Sequence, residues 1–272
     1  MGTTSLLKRV LLALLSFFAL VGVAFTLVWV AMEFKLLNVR GSTSERNSFF
    51  TGAAYVGTQA VPCFDPSCEW QNSAEWSVVR AGLQKDSAVI NRVASETGVP
   101  ARIIAAAVIP EQLRFFTSER EMFKQVFEPL KILGSMSQFS LGVSGIKQET
   151  AIDIERRLLP EDARLITYPT NSTPQSVLFE RLTDPHDHYY SYLYTALFIK
   201  EVSAQWAYAG TPISNRPAIL ATLFNIGFEN SHPNPAPQAG GAIITVNNTD
   251  YPFGTLAGLF YDSNELVTEL PK

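Results

Sequence analysis

The stretch that most constrains the fold is RIIAAAVIPEQLRFF, residues 102–116. Its Ile and Val residues recur at helical spacing, which predicts a helix buried in a core. Glu111 is the single acidic residue of this segment. Pro110 precedes it, and a proline inside a helical pattern kinks or stops the helix. We therefore expect Glu111 at a helix end facing a cleft, where desolvation favours the protonated carboxyl group that general acid catalysis needs.

A structural role for Glu111 is the alternative. The carboxylate would then pair with Arg114, three residues further along the same helix, or with another base.

The N-terminal run of apolar residues, 10–34, has about the length that crosses a bilayer. A cleaved signal peptide has a shorter apolar core, so we expect an uncleaved anchor whose N-terminus is cytoplasmic. The alternative is a cleaved signal, and either way the remaining chain is exported. The sequence thus predicts a single-pass protein of the inner (cytoplasmic) membrane, with its main domain in the periplasm or at the cell exterior.

Three regions follow from this pattern: a cytoplasmic tip with the anchor (1–40), an exported stalk (41–80) and the main domain with a C-terminal extension (81–272). The stalk contains Cys63 and Cys68, separated by a turn-forming Asp-Pro-Ser sequence. In an oxidising compartment these cysteines are expected to form a disulfide. A redox-active pair is less favoured, because the spacing is not Cys-x-x-Cys.

The composition limits the classes of ligand that are expected. The 272 residues carry a formal net charge of -4 and no basic patch with interleaved aromatics, so nucleic acid is not an expected partner. His186 and His188 flank Asp187, but this spacing fits no strong metal signature and is interpreted as a solvated loop. Neither a metal nor an organic cofactor is expected.

The body of the chain is helical in pattern, which predicts a mainly α fold. Gly98 is expected to end one helix and Pro100 to begin the next. Aromatic residues in the segment 189–208 are interpreted as core rather than as a sugar site. Further helices are expected at 146–159, 216–227 and 253–270, a short strand at 242–246, and turns across 160–188.

Three segments, taken in order, resemble the SLT-type lytic transglycosylase domain of the lysozyme-like superfamily. The first is VASETGVPARIIAAAVIPEQLRFF, with Glu111 at the place of the catalytic glutamate. The second, Ser140 to Ala151, is similar to a Ser-x-Gly-Leu-Met-Gln-Ile loop followed by Thr-Ala. The third, Ala221 to Gly227, looks like an Ala-Ala-Tyr-Asn-x-Gly segment that backs the cleft.

This resemblance implies a lysozyme-like helical domain that binds the glycan strands of peptidoglycan. It would cleave the bond between N-acetylmuramic acid and N-acetylglucosamine with one glutamate, leaving a 1,6-anhydro product. Glu111 would be the acid and then the base, and Ser140 would bond the acetamido group. The other substrate-binding positions implied are Gly142, Gly145, Ile146, Phe224 and Asn225.

The chain departs from the family pattern at three motif positions and in the insert between Glu111 and Ser140, which is longer than the family pattern predicts. Gln112 replaces a serine, Ser144-Gly145 replaces Met-Gln, and Phe224 replaces a tyrosine and so lacks its hydroxyl. These changes favour an alternative function, a catalytically weak domain that binds glycan strands or scaffolds a cell-envelope assembly. A second acid is not clearly placed, and Glu149 and Asp153 are expected to be solvated surface residues. An accidental resemblance in an exported helical domain is the third possibility. The sequence identifies no protein partner.

Overall fold

A computed structural model of the protein describes residues 12, 14–23, 26–27, 69–117, 143–170, 174–184 and 187–272. Cys63, Cys68, Ser140 and Gly142 lie outside these residues, as does the stalk up to residue 68. The described residues of the expected anchor are helical, and several of their apolar side chains are exposed, among them Leu14, Phe17 and Phe18. Within the described part of the chain, no helix combines the length and the apolar character that crossing a membrane requires.

The described chain from residue 69 onward is mainly helical, as predicted. Its seven α-helices are α1 (Ala74–Thr97), α2 (Ala101–Thr117), α3 (Gln148–Arg156), α4 (Pro174–Thr183), α5 (Tyr189–Tyr208), α6 (Pro217–Ile226) and α7 (Phe253–Asp262). Two 3-10 helices, Pro160–Leu165 and Phe228–Asn230, and two strands, β1 (Ile243–Val246) and β2 (Thr249–Pro252), complete the described elements.

Helix α1 has side-chain and backbone caps at its two ends. The Ser73 hydroxyl accepts the Trp76 N–H at 3.0 Å, and Gly98, at φ +76°, donates its N–H to the Ala94 carbonyl oxygen at 2.8 Å. The predicted stop at Gly98 is therefore confirmed, because a left-handed residue at this position suits glycine. The boundary that we placed between residues 80 and 81 falls inside this helix, and Trp70 is already buried in the core.

Helix α2 lies at the centre of the packed unit, where it contacts α1, α5, α6, α7 and β1. All ten residues from 101 to 110 are buried, which explains why all of them except Arg102 are apolar. The predicted helix end at Pro110 is wrong, since α2 continues to Thr117. Proline removes only the N–H that would reach the Ala106 carbonyl oxygen, and the packing around this turn retains the helix.

The C-terminal residues pack into the core rather than forming a separate appendage. β1 and β2 form an antiparallel hairpin whose two turn residues, Asn247 and Asn248, have φ of 50° and 62°. Asparagine tolerates this left-handed conformation, which two-residue hairpin turns require. The predicted strand is confirmed. The terminal helix is shorter than expected, because it ends at Asp262 and not at residue 270.

The interval 160–188 contains more regular structure than expected from its prolines. It holds the 3-10 helix Pro160–Leu165 and the ten-residue helix α4. Both begin at a proline, the residue type whose fixed φ suits the first turn of a helix. The sequence predicts turns around Pro169, Pro174 and Pro185; of these, Pro174 begins a helix, Pro169 lies between helices, and Pro185 lies outside the described residues.

Candidate functional site

Glu111 lies inside α2, one turn beyond its fully buried part. Its side chain is 13% exposed and forms an ion pair with Arg114, whose side chain is 11% exposed. Arg114 Nη2 lies 2.6 Å from each carboxylate oxygen of Glu111. The alternative contact that the sequence suggested, a pairing of Glu111 with Arg114, is therefore present. It fixes the carboxylate from the C-terminal side of its own helix.

The glycine-containing turn before α3 lies directly against the other side of Glu111. Gly145 has φ +64°, and a Cβ atom added there would lie 2.5 Å from both Cγ and Oε1 of Glu111. No real side chain tolerates such distances. Helix α2 and the turn at residues 143–145 therefore meet at the Glu111 carboxylate, although Gln112 and Val143 are 31 residues apart in sequence. Gly145 allows the turn to approach the carboxylate because it has no side chain.

Gln112 ties the same turn to α2. Its side-chain amide nitrogen donates to the Val143 carbonyl oxygen in a short hydrogen bond. The residue that replaces the family's serine is therefore a link between Glu111's helix and the turn that covers Glu111.

Two neighbours in this turn are buried. Ile146 is 1% exposed and belongs to the hydrophobic core. It therefore anchors the turn to the core and presents no surface to a ligand. Ser144 is equally buried, and its hydroxyl has no hydrogen-bond partner among the described residues. A buried hydroxyl without a partner is costly and is commonly retained for water or ligand binding.

Helix α6 carries Phe224 and Asn225, and it packs against α2. Phe224 is 9% exposed and meets Phe198 edge to face, with ring centroids 5.6 Å apart. Asn225 is buried, and its Oδ1 accepts the Ala242 N–H at 2.8 Å. The described contacts of both residues are therefore internal, and Asn225 fixes the chain that enters β1.

The two acids after the glycine turn are placed as surface residues. Glu149 is exposed, and Asp153 pairs with Arg156 at 3.0 Å, where the arginine side chain is 72% exposed. Glu149 therefore has the solvated position that the sequence led us to expect, whereas Asp153 is half-buried in an ion pair.

His188 is not in a solvated loop, contrary to our interpretation of the sequence. Its Nδ1 lies 2.6 Å from Asp86 Oδ2, and the Tyr192 hydroxyl donates to the same oxygen at 2.7 Å. Burial and the adjacent Asp86 carboxylate raise the pKa of Tyr192. The three side chains join α1 to the start of α5, which is a structural role. The sequence does not reveal it, because Asp86 and His188 are 102 positions apart.

Sequence reasoning also missed the buried acid Glu201, in the middle of α5. It is 5% exposed, and burial raises its pKa to about 8 against the opposing charge of Arg157. Lys200 and Glu201 are the only two formally charged residues in this twenty-residue helix. The sequence feature that could have indicated a buried acid is therefore this pair of adjacent charges inside an apolar segment.

Comparison with protein-family models, with curated proteins and with solved structures finds no match to this chain.

Proposed function

We propose that the protein is a membrane-anchored, lysozyme-like lytic transglycosylase that acts on peptidoglycan glycan strands, with Glu111 as its acid and base. The observation that supports this proposal most is the contact between Glu111 and the backbone of Gly145. It joins the first and second of the three family-like segments at one carboxylate. The third segment, in α6, packs against the helix that carries Glu111.

One carboxyl group is sufficient for the proposed reaction. Glu111 gives its proton to the oxygen of the glycosidic bond, the bond breaks, and the substrate's own acetamido group stabilises the positive charge at the anomeric carbon. The Glu111 carboxylate then removes the proton of the C6 hydroxyl, whose oxygen bonds to the anomeric carbon. The 1,6-anhydro ring closes and no water is consumed, so the chemistry needs no second acid, which agrees with an exposed Glu149 and with an Asp153 that is paired with Arg156.

Arg114 and Gln112 have positioning roles in this proposal. Arg114 holds the resting carboxylate in one orientation. This ion pair has to open and the carboxylate has to take a proton from solvent before Glu111 can protonate the glycosidic oxygen. Gln112 holds the Gly145 turn in place. The space between this turn and the Glu111 carboxylate is too small for a side chain at residue 145. The partly buried setting of the pair limits competing water, as a dry acid-base site requires.

The membrane anchor belongs to the same proposal. Residues 10–34 would hold the protein in the inner (cytoplasmic) membrane and place the domain in the periplasm or at the cell exterior, beside the wall. The exposed apolar side chains of Leu14, Phe17 and Phe18 support this assignment, because contiguous apolar side chains on a surface mark lipid or protein contacts.

A second candidate function is glycan binding or envelope scaffolding without cleavage. The Arg114–Glu111 ion pair favours it, since the pair occupies the carboxyl group that cleavage requires. Phe224 adds to this, because it packs on Phe198 and lacks the hydroxyl of the family's tyrosine.

The test is mass spectrometry of muropeptides after purified peptidoglycan is incubated with the full-length chain. Anhydro-muropeptides are expected from the parent and from Glu149→Gln, an exposed-acid control. Glu111→Gln should lower the yield by about 10²–10⁴-fold, the usual contribution of a general acid or base. Reducing-end products would contradict the transglycosylase, and pelleting on peptidoglycan without any products would support the binding function.

A further inference from the structure

Glu201 is buried without a full set of hydrogen-bond partners. Its side chain is 3% exposed, and Oε1 has no hydrogen-bond partner among the described residues. The other oxygen, Oε2, accepts a long hydrogen bond of 3.4 Å from Arg157 Nε. A buried ionised carboxylate normally accepts several short hydrogen bonds, so this site suits a neutral carboxyl group better than a charged one.

Arg157 connects this carboxyl group to two other elements. It is the C-cap residue that directly follows α3, and its guanidinium lies over the ring of Phe228, with Cζ 4.2 Å from the ring centroid. Phe228 begins the 3-10 helix that follows α6. We call the region where α3, α5 and Phe228–Asn230 meet the Glu201 junction.

Two side chains of α5 form hydrogen bonds to Ser231, the residue that directly follows Phe228–Asn230 in the Glu201 junction. The Trp206 indole N–H donates to the Ser231 hydroxyl at 2.8 Å, and that hydroxyl donates to Gln205 Oε1 at 2.5 Å. The segment that follows Phe228 is therefore hydrogen-bonded to the helix that carries Glu201.

In the described part of the chain, three charged groups act on Glu201. Arg157 favours the carboxylate, whereas Asp153 of α3 and Asp162 of the neighbouring 3-10 helix disfavour it. The Asp162 charge is itself compensated by Lys200, whose Nζ lies 2.6 Å from Oδ2. Among the described residues, the cation that faces Glu201 is Arg157, which also contacts the Phe228 ring and is only partly buried, with 32% of its side chain exposed.

We propose that Glu201 is a proton-binding site that couples the stability of the Glu201 junction to pH. With its proton, the carboxyl group is neutral and fits the dry position seen here. After the proton leaves for solvent, Oε1 is a buried anionic oxygen without a donor, and the junction has to open to admit water or to bring Arg157 closer. The inference is independent of cleavage by Glu111.

The direction of the effect follows from linkage. An unfolded glutamate titrates at about 4.3, whereas the folded position raises the pKa of Glu201 to about 8. The folded junction therefore binds the proton more tightly than the open one. Its extra stability is complete at pH below the unfolded value and is lost as the pH rises toward 8.

The test is amide hydrogen exchange of the full-length chain between pH 5 and 9, corrected for the intrinsic exchange rate. Peptides that cover 154–162 and 226–231 report on the junction. In the parent, their protection should fall by about tenfold per pH unit up to pH 8 and then level off, as the release of one proton requires. Glu201→Gln should abolish this slope.

Glu161→Gln is the matched control, because Glu161 lies in the same region but its side chain is 65% exposed. In this variant, amide protection should depend on pH with the same slope as in the parent. A second variant, Arg157→Gln, keeps Glu201 and removes the opposing cation, so the slope should extend above pH 8. A parent without a slope, a slope that persists in Glu201→Gln, or an unchanged upper limit in Arg157→Gln would overturn the proposal.

Discussion

The guanidinium of Arg102 lies over the ring of Phe260, 4.6 Å from Cζ to the ring centroid, and its Nη2 also donates to the Phe260 carbonyl oxygen at 2.9 Å. The remaining donors reach the carbonyl oxygens of Tyr261, Ser263 and Glu265. Arg102 is completely buried at the start of α2. One side chain therefore satisfies the exposed carbonyls at the end of α7 and fixes the C-terminal segment to the central helix.

Arg102→Met should lower the free energy of unfolding by about 3–5 kcal/mol, because it leaves several carbonyl oxygens of the C-terminal segment without a donor. Chemical denaturation measures this loss. The control is Arg80→Ala, which removes an ion pair with Glu265 in which the arginine side chain is 46% exposed. Exposed pairs contribute about 0–1 kcal/mol, so equal losses in the two variants would contradict the role assigned to Arg102.

Gly145→Ala should disturb the site as well as the fold. Its φ of +64° costs an L-residue about 1–2 kcal/mol, and the new Cβ would also displace Glu111. Gly98→Ala is the matched control, since Gly98 has φ +76° but no atom within 4 Å of the added Cβ. Peptidoglycan cleavage or pelleting should be lost in the first variant and retained in the second. Equal retention would show that the Gly145–Glu111 contact has no part in glycan recognition.

The ion pair of Glu111 with Arg114 should show strong energetic coupling. Arg114→Met leaves a largely buried carboxylate without its cation, and we expect a loss of about 1–3 kcal/mol in unfolding free energy. Adding Glu111→Gln should recover part of this loss, because the unpaired charge is gone. A double-mutant cycle measures the coupling, and a coupling energy near zero would contradict the pairing seen here.

Gly254→Ala tests how closely α6 and α7 approach. A Cβ at this position would lie 2.0 Å from Thr222 Oγ1 and 2.4 Å from the Ala218 carbonyl oxygen, so the two helices would have to separate. We expect a loss of about 1–3 kcal/mol or more, measured as a decrease in Tm.

Gly82→Ala is the control for this variant. Gly82 lies in the interior of α1 with open space around it, so alanine should stabilise the helix by about 0.5–1 kcal/mol. The same sign of change in both variants would contradict the close approach.

Local sequence rules predicted several elements well. The segments 189–208 and 216–227 form α5 and α6, the stop at Gly98 is confirmed, and β1 lies where a strand was expected. These are cases in which periodicity, glycine and proline act within one element. Pro110 is the instructive failure, because its local effect on the backbone was outweighed by the packing on every side of α2.

The candidate site was only partly predictable. The sequence singled out Glu111, Gly145 and the pairing with Arg114, all of which depend on an apolar helix or on short spacings. It did not predict that Gln112 would hold the turn, that Asn225 would bond to Ala242, or that Glu201 would be buried. Each of these depends on which distant segment lies opposite, and no local pattern encodes that.

The sequence by itself determined the mainly α class, the buried central helix with a single acid, and the small residues that permit a close turn. Hydrophobic periodicity and backbone preferences act over a few residues, and therefore they can be read directly from the chain. Only the tertiary structure decided that Gly145 meets Glu111, that His188 pairs with Asp86, and that Arg157 shares its charge between Glu201 and Phe228. Desolvation and hydrogen bonding depend on neighbours in space, and these neighbours exist only after the helices have packed.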